Sequence, residues 1–215
     1  VRIRAGRRTV EVGRPEKVLF PEDGITKADL AEYYRTVARR MLPHLRGRPL
    51  MLERHPDGIG EPGFMQKETP EHFPDWVRRA DLPKEGGSVT HVLCEDTATL
   101  LYLADQGCVT PHRWLSRADR PDHPDRLTTA PRKKDRGGRL YLDVQRNAYG
   151  QTAVAPYAVR ARPGAPVALP LTWGDLEDPD LDARRWTLAD ADRFVKDNPW
   201  SPAPRPRSLT AVSYT

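Results

Sequence analysis

The spacing of apolar residues changes period several times along the chain, and each change marks an element. Over residues 1–13 apolar and basic residues alternate, with Val1, Ile3, Val10 and Val12 among the apolar positions and several arginines on the polar side. This two-residue period predicts an N-terminal strand or hairpin. Further on, Leu30, Tyr33, Tyr34, Val37 and Met41 fall on one helical face, Thr26 stands at the N-cap, and Asp29 three residues later completes a capping-box pattern. The helix is expected to end near Pro43, which lacks the N–H that a continuing helix needs. A turn at residues 47–49 leads into Pro49-Leu50-Met51-Leu52-Glu53-Arg54, a strand halted by Pro56-Asp57-Gly58. Residues 61–83 hold Pro, Gly and aromatics without a clean period and read largely as loop. Residues 88–93 read as a strand, and residues 97–107 as a helix burying Leu100, Leu101 and Ala104.

After Pro111 the chain is highly charged through Arg132-Lys133-Lys134, until Leu140, Leu142 and Val144 alternate in a strand that turns Tyr141 and Asp143 to its other side. A short apolar run at 154–159 and a Pro-rich crossing to Trp173 follow. The segment 199–215 opens on four prolines in eight residues and reads as a linker or docking extension beyond one domain at 1–198. No internal repeat occurs, and short strands and helices in no regular βαβ order predict an α+β fold.

Composition narrows the picture only in part. With 38% hydrophobic and 30% charged residues in 215, the chain has apolar surface for one core under a wet, charged exterior. A net charge of +5 and a pI near 9.4 suit a phosphate-rich partner, yet many basic proteins bind no nucleic acid. Cys94 and Cys108 match neither a redox CxxC nor a zinc framework and read as reduced core thiols. Residues 1–10 carry positive charge without an apolar h-region, and no run approaches a membrane span, so the cytoplasm is the expected compartment. GxSxG, Walker and HExxH patterns are missing, which leaves hydrolase, ATPase and zinc-protease readings without a foothold. A glycosidase-like acid pair stays open, because Asp and Glu are plentiful and nothing selects two of them.

Four groups of residues could carry chemistry, and each has a plainer reading. Lys17 and Lys27 flank a Phe20-Pro21 turn, with Lys27 at a helix start whose free N–H groups and dipole favour an anion; the alternative is two solvated surface lysines. Phe64 lies in Glu61-Pro62-Gly63-Phe64-Met65-Gln66-Lys67, where an apolar pair could stack on an unpaired base while Lys67 meets phosphate, or Phe64 could simply anchor its loop to the core. His112 sits among Arg113, Trp114 and Arg117 and could grip a triphosphate, although surface histidines near arginines are common. Asp143, with Arg146 and Arg160 nearby in sequence, could ligate a metal beside a polyphosphate clamp or form an ion pair. Two-metal phosphoryl transfer needs several carboxylates to hold two close cations, so one aspartate is insufficient.

Taken in order, Glu16-Lys17-Val18-Leu19-Phe20-Pro21, Gly24-Ile25-Thr26-Lys27, Gly63-Phe64-Met65-Gln66-Lys67, Thr110-Pro111-His112 with Leu115-Ser116-Arg117, and Leu142-Asp143-Val144-Gln145-Arg146-Asn147-Ala148-Tyr149-Gly150-Gln151-Thr152-Ala153-Val154-Ala155-Pro156-Tyr157 resemble the polymerase domain of the bacterial end-joining ligase D family. The resemblance runs over nearly all of residues 10–190. It implies an archaeo-eukaryotic primase-like fold, a mixed sheet with flanking helices, and a role in filling or extending DNA ends during non-homologous end joining. It implies 5′-phosphate recognition at Lys17 and Lys27, base stacking at Phe64 beside Lys67, nucleotide contacts at His112, Arg136, Arg146 and Arg160, and a Mn²⁺ or Mg²⁺ ligand at Asp143. Met65 replaces the family's frequent second phenylalanine; its thioether still offers apolar contact.

One departure is large. After Asp125-Arg126-Leu127 the family continues into a strand with an Asp-x-Asp pair and then a Ser-Gly-Ser-x-Gly-x-His element, whereas this chain passes directly to Thr128-Thr129. The resemblance therefore implies an incomplete fold with one metal-binding aspartate of three, and apolar surface left uncovered near Leu93 and Leu142. The expected function is recognition of 5′-phosphorylated DNA ends and nucleoside triphosphates with impaired catalysis, whether the chain is an enzyme at all remaining open. The rivals are an active template-directed nucleotidyltransferase, should the natural product carry the missing segment, and a non-functional remnant. The implied partners are DNA ends, Ku and a ligase domain or protein, and the implied setting is the bacterial cytoplasm, near the nucleoid.

Overall fold

The structure is a computed structural model that describes residues 1–119, 150–196 and 200. Strands β1 (Arg2–Ala5) and β2 (Arg8–Glu11) form the N-terminal hairpin that the alternation predicts, in the register Arg2 with Glu11 and Ala5 with Arg8. Strands β3 (Val18–Phe20) and β4 (Ile25–Thr26) make a second small hairpin that feeds helix α1 (Lys27–Leu45). The cap is as expected: the Thr26 side chain accepts from Asp29 N, and the Asp29 carboxylate accepts from Thr26 N at 2.8 Å. Leu30, Tyr33, Tyr34, Val37 and Met41 are all essentially inaccessible. The helix runs through Pro43 to Leu45, past its expected end. Pro43 gives up the bond to the carbonyl four residues back, and burial of Leu42 and Leu45 offsets that loss and holds the last turn closed.

The main sheet has the order β10-β9-β5-β6, from β5 (Leu50–Arg54), β6 (Phe64–Gln66), β9 (Cys108–Trp114) and β10 (Thr152–Val154). Every pairing in it is antiparallel. A separate hairpin joins β7 (Arg79–Lys84) and β8 (Gly87–Val92), and α2 (Thr97–Asp105) follows it. Three of these strands correct the sequence expectation. The stretch 61–83 is not largely loop, since it holds β6 and enters β7, and β9 lies at the centre of the sheet and runs into the start of the stretch after Pro111 that reads only as charged. The reasons are physical. The short strand β6 is half exposed, β7 carries Pro83 and Lys84, and β9 carries Pro111, which ordinarily argues against a central strand.

The core is one cluster of buried residues from Ala5 in β1 to Phe194 in the short helix α3 (Ala191–Lys196). It includes Ala155, Tyr157, Ala158 and Val159 after β10, so segments on both sides of 120–149 share it. Tyr34 ties the layers together: its hydroxyl donates to Val109 O at 2.6 Å and accepts from Val159 N at 3.2 Å. Leu93, expected to lie near uncovered surface, is only 5% exposed and bridges to Pro49. The exposed apolar side chains include Phe64, Met65, Trp173 and Leu176 instead. Cys94 and Cys108 are free and buried, as expected, and burial drives both thiols far above their ordinary range. Among the described residues no helix is long and apolar enough to cross a membrane.

Candidate nucleic-acid interface

The turn before α1 brings Lys17 and Lys27 together through the backbone, since Lys27 N donates to Lys17 O at 2.8 Å. The helix end itself is not available to an anion. Lys27 N is taken by Lys17 O, Ala28 N donates to Pro15 O at 2.9 Å, and Asp29 N donates to Thr26 Oγ1 at 3.2 Å. What the turn offers is therefore two ammonium groups rather than free N–H groups. They differ in kind. Lys17 Nζ pairs with Asp57 at 2.5 Å, and Asp57 is largely in water, its carboxyl held below its ordinary range first by the Lys17 hydrogen bond and then by the charge. Lys27 is buried, and its Nζ meets Asp105 Oδ1 at 2.9 Å. The solvated-surface alternative fails for Lys27.

Asp105 is a junction. The same Oδ1 accepts from Gly13 N at 2.9 Å, at the exit of the β1–β2 hairpin, and Gln106 Nε2 donates to Oδ2 at 3.2 Å. The chain reverses at Gly107, whose φ is +75° and where a Cβ would stand only 3.0 Å from Pro56 Cα, so a side chain has little room. That close approach brings the end of α2 beside the end of β5. There Arg54 Nε donates to Gln106 O at 2.8 Å and Nη1 to Gln66 Oε1 at 2.6 Å, while its guanidinium lies 5.3 Å from the centre of the Phe64 ring. Phe64 is 47% exposed and Met65 45%, so Phe64 does not anchor its loop in the core. It is a displayed aromatic face held by a cation.

Alternation along β5 turns Glu53 to the opposite side of the sheet from Arg54. On that side Glu53 Oε2 lies 3.1 Å from His112 Nε2 of β9, and Glu53 Oε1 lies 3.7 Å from His55 Nε2. The His112 hydrogen bond outweighs the cost of burial and lowers the pKa of the Glu53 carboxyl below its ordinary value. Nearby, a cavity of about 460 Å³ is bordered by Met51, Lys67, His91, Trp114, Gly150 and Thr152. Arg160 lies beyond β10, partly exposed, with its backbone N donating to Pro166 O at 2.8 Å. Sequence reading missed Glu53, Arg54 and Asp105. The abrupt end of the apolar run in β5 at Glu53-Arg54 marks the first two, whereas nothing local distinguishes Asp105.

Arg136, Asp143 and Arg146, the strand expected at 140–144 and nearly all of the Pro-rich tail lie outside the described residues. Among the described residues no three His, Cys, Asp or Glu side chains are arranged to hold a metal ion. They do not by themselves fit the implied Mn²⁺ or Mg²⁺ pair. The loop 58–63 reads Gly-x-Gly-x-x-Gly, the pattern of a dinucleotide-binding turn, but it links two antiparallel strands and leads into no helix, so it lacks the N-terminus on which a dinucleotide pyrophosphate rests.

The scaffold is that of a polymerase domain of the primase-like class. It matches the polymerase domain from Mycobacterium tuberculosis Ligase D, solved in complex with DNA, with a TM-score of 0.75 at 24% identity over 87% of this chain and 95% of that one. The family model for the LigD primase-polymerase domain matches residues 26–129 and 121–200, and the chain belongs to that family. The multifunctional non-homologous end joining protein LigD of Mycolicibacterium smegmatis is 24% identical over 80% of this chain and 33% of its own length, and the bifunctional LigD of Bacillus subtilis is 35% identical over 42% and 14%. The chain thus spans about a third of the length of the mycobacterial relative. The alignment with the M. smegmatis protein extends over 251 residues, more than this chain contains, so it crosses positions that have no counterpart here.

Proposed function

We propose that this chain is an end-recognition module of non-homologous end joining DNA repair, binding a 5′-phosphorylated DNA end and a nucleotide while transferring nucleotides weakly or not at all. The observation that carries the reading is the turn that joins Lys17 and Lys27, linked through Asp105 and Gln106 to the displayed Phe64. A terminal phosphate replaces the exposed Asp57 at Lys17 at little cost, because exposed pairs contribute little. Lys27 stays neutralised by Asp105 and acts by fixing the turn. Phe64, braced by Arg54, offers a face on which an unpaired base stacks, with Lys67, three residues on and just past the end of β6, toward phosphate. On the other side of the sheet Glu53 orients His112 toward a triphosphate, with Arg160, Arg136 and Arg146 as further phosphate contacts. The DNA in the complex of the M. tuberculosis relative supports the choice of ligand.

The impairment rests on carboxylate supply. When bound, a Mn²⁺ or Mg²⁺ pair would activate the attacking hydroxyl and neutralise the departing pyrophosphate, and Asp143 is one ligand where several are required. The family match falls into two pieces that meet at 121–129, and the relative's alignment is longer than this chain, which supports a missing Asp-x-Asp segment between 127 and 128. In this reading residues 1–198 form the polymerase-like domain and 199–215 a tail, with Ku and a ligase as partners in the bacterial cytoplasm at the nucleoid.

The test is titration of a gapped duplex bearing either a 5′-phosphate or a 5′-hydroxyl, alongside primer extension with Mn²⁺. The expected result is tighter binding of the phosphate form, a salt slope about 1 unit shallower in Lys17→Ala, and no extension. Equal affinity for the two ends overturns the end-recognition reading, and extension lost in Asp143→Ala overturns the impairment.

A further inference from the structure

The β1–β2 hairpin takes no part in this reading, although it is strongly basic. Arg2, Arg4, Arg7, Arg8 and Arg14 are all exposed by residue. The register divides them. Arg8 pairs with Ala5 on the packed side, and its guanidinium lies 5.0 Å from the Trp76 ring, so it is spent on seating the hairpin. Arg2 and Arg4 share the other side with their partners Glu11 and Thr9, about 7 Å apart as two-residue strand spacing dictates. Arg7 stands in the turn. Among the described residues no ion pair engages Arg2, Arg4, Arg7 or Arg14; Arg4 Nε makes only a long 3.4 Å bond to Gly6 O. The nearby acids are Glu11, across from Arg2, Glu16, and Asp57, which feels the charge of Arg14 as well as that of Lys17.

The hairpin is also fixed in place relative to the lysine turn. Gly13 N at its exit and Lys27 Nζ share the one oxygen Asp105 Oδ1, and Lys17 N donates to Arg14 O at 3.0 Å. Exposed guanidinium groups on a seated ribbon thus continue, through Arg14, into the ammonium group of Lys17.

We propose that this hairpin is a duplex-backbone clamp: Arg2, Arg4 and Arg7 contact phosphates of double-stranded DNA on the side of the 5′-phosphate away from the gap. The proposal rests on the end-recognition reading and extends it from the terminal phosphate to the duplex behind it. Charge alone at an exposed ribbon gives sequence-independent contacts, which position the duplex and release counterions without reading bases.

The experiment compares gapped, 5′-phosphorylated duplexes whose downstream arm is shorter than one helical turn or longer than two, over a salt series. The variants are R2A/R4A/R7A and R2K/R4K/R7K. Wild type is expected to bind the long arm more tightly than the short one. R2A/R4A/R7A is expected to lose that advantage and to show a salt slope shallower by about 0.9 per phosphate contact removed. It should keep its preference for a 5′-phosphate over a 5′-hydroxyl, because Lys17 is intact. R2K/R4K/R7K keeps the charge and is expected to keep the long-arm advantage, which separates phosphate contact from a packing role. If R2A/R4A/R7A binds both arms as wild type does while 5′-phosphate preference persists, the clamp is overturned and the end-recognition reading stands. Retained long-arm advantage without 5′-phosphate preference sinks the end-recognition reading and leaves the clamp. A chain that binds neither duplex overturns both.

Discussion

Two lysines that look alike in the sequence hold different energies in the fold. Lys27 and Asp105 keep only 9% and 16% of their side-chain surface, and Asp105 also caps Gly13 N. Removing the cation strands a nearly buried carboxylate, so Lys27→Ala is expected to destabilise the protein by about 3 kcal/mol. Lys17→Ala removes a pair whose acid is 69% exposed and screened by solvent, and is expected to cost much less than Lys27→Ala. Urea titrations of the two variants check this, and equal costs would contradict it. Any loss of DNA binding in Lys27→Ala must then be compared at matched folded fraction. Glu53 supplies a pH prediction from the same scale. Its folded pKa lies below the ordinary 4.5 because His112 donates to it, so its contribution to stability is present above 4.5 and is lost as pH falls through the lowered value. Glu53→Gln is expected to flatten the acid limb of melting temperature against pH below about 4.5; an unchanged limb refutes it.

Among the elements, the start and buried face of α1 were legible because cap, period and apolar face agreed, while its end was not, since Pro43 pointed to an earlier stop. The N-terminal hairpin was equally plain. Strand β9 was not, because its position is set by partners rather than by its own residues. Pro111 has no N–H to give to a neighbouring strand, which hides β9 in the sequence, although its carbonyl accepts from Ala155 N at 3.1 Å. Of the candidate site, the lysine turn and Phe64 stood out through the resemblance of their motifs to the family, whereas Glu53 with His112 and Lys27 with Asp105 are contacts across 59 and 78 residues that no local pattern encodes. Tyr34 shows what such long-range ties contribute. Its hydroxyl joins α1 to β9 and to the strand-like segment after β10, so Tyr34→Phe leaves Val109 O and Val159 N buried without that partner. The expected cost is about 2 kcal/mol with no change in 5′-phosphate preference. It is checked by denaturation beside the same duplex titration, and a neutral Tyr34→Phe would mean that water or the backbone replaces the tie.

At the scale of the whole molecule, the question is whether a polymerase-domain relative whose alignment skips positions of its family still folds as one unit. The buried cluster answers through its membership. Val37 and Met41 of α1, Leu50 and Leu52 of β5, Leu101 and Ala104 of α2, and Tyr157, Ala158 and Val159 beyond residue 149 belong to a single set with Phe194. Neither the part before residue 120 nor the part after 149 can lose its packing without uncovering the other. A single cooperative unfolding transition is therefore expected, with far-ultraviolet dichroism and tryptophan fluorescence giving one midpoint. The tryptophans report on both sides, since Trp76 packs edge-on against Tyr102 of α2 while Trp186 lies under Arg193 of α3. Two midpoints would mean that the C-terminal segments dock loosely on a self-sufficient N-terminal half, which would favour a decaying remnant over a working end-binding module. One midpoint would mean that the segments carrying Lys17, Phe64, His112 and Arg160 stand or fall together, as a module that must grip a broken end requires.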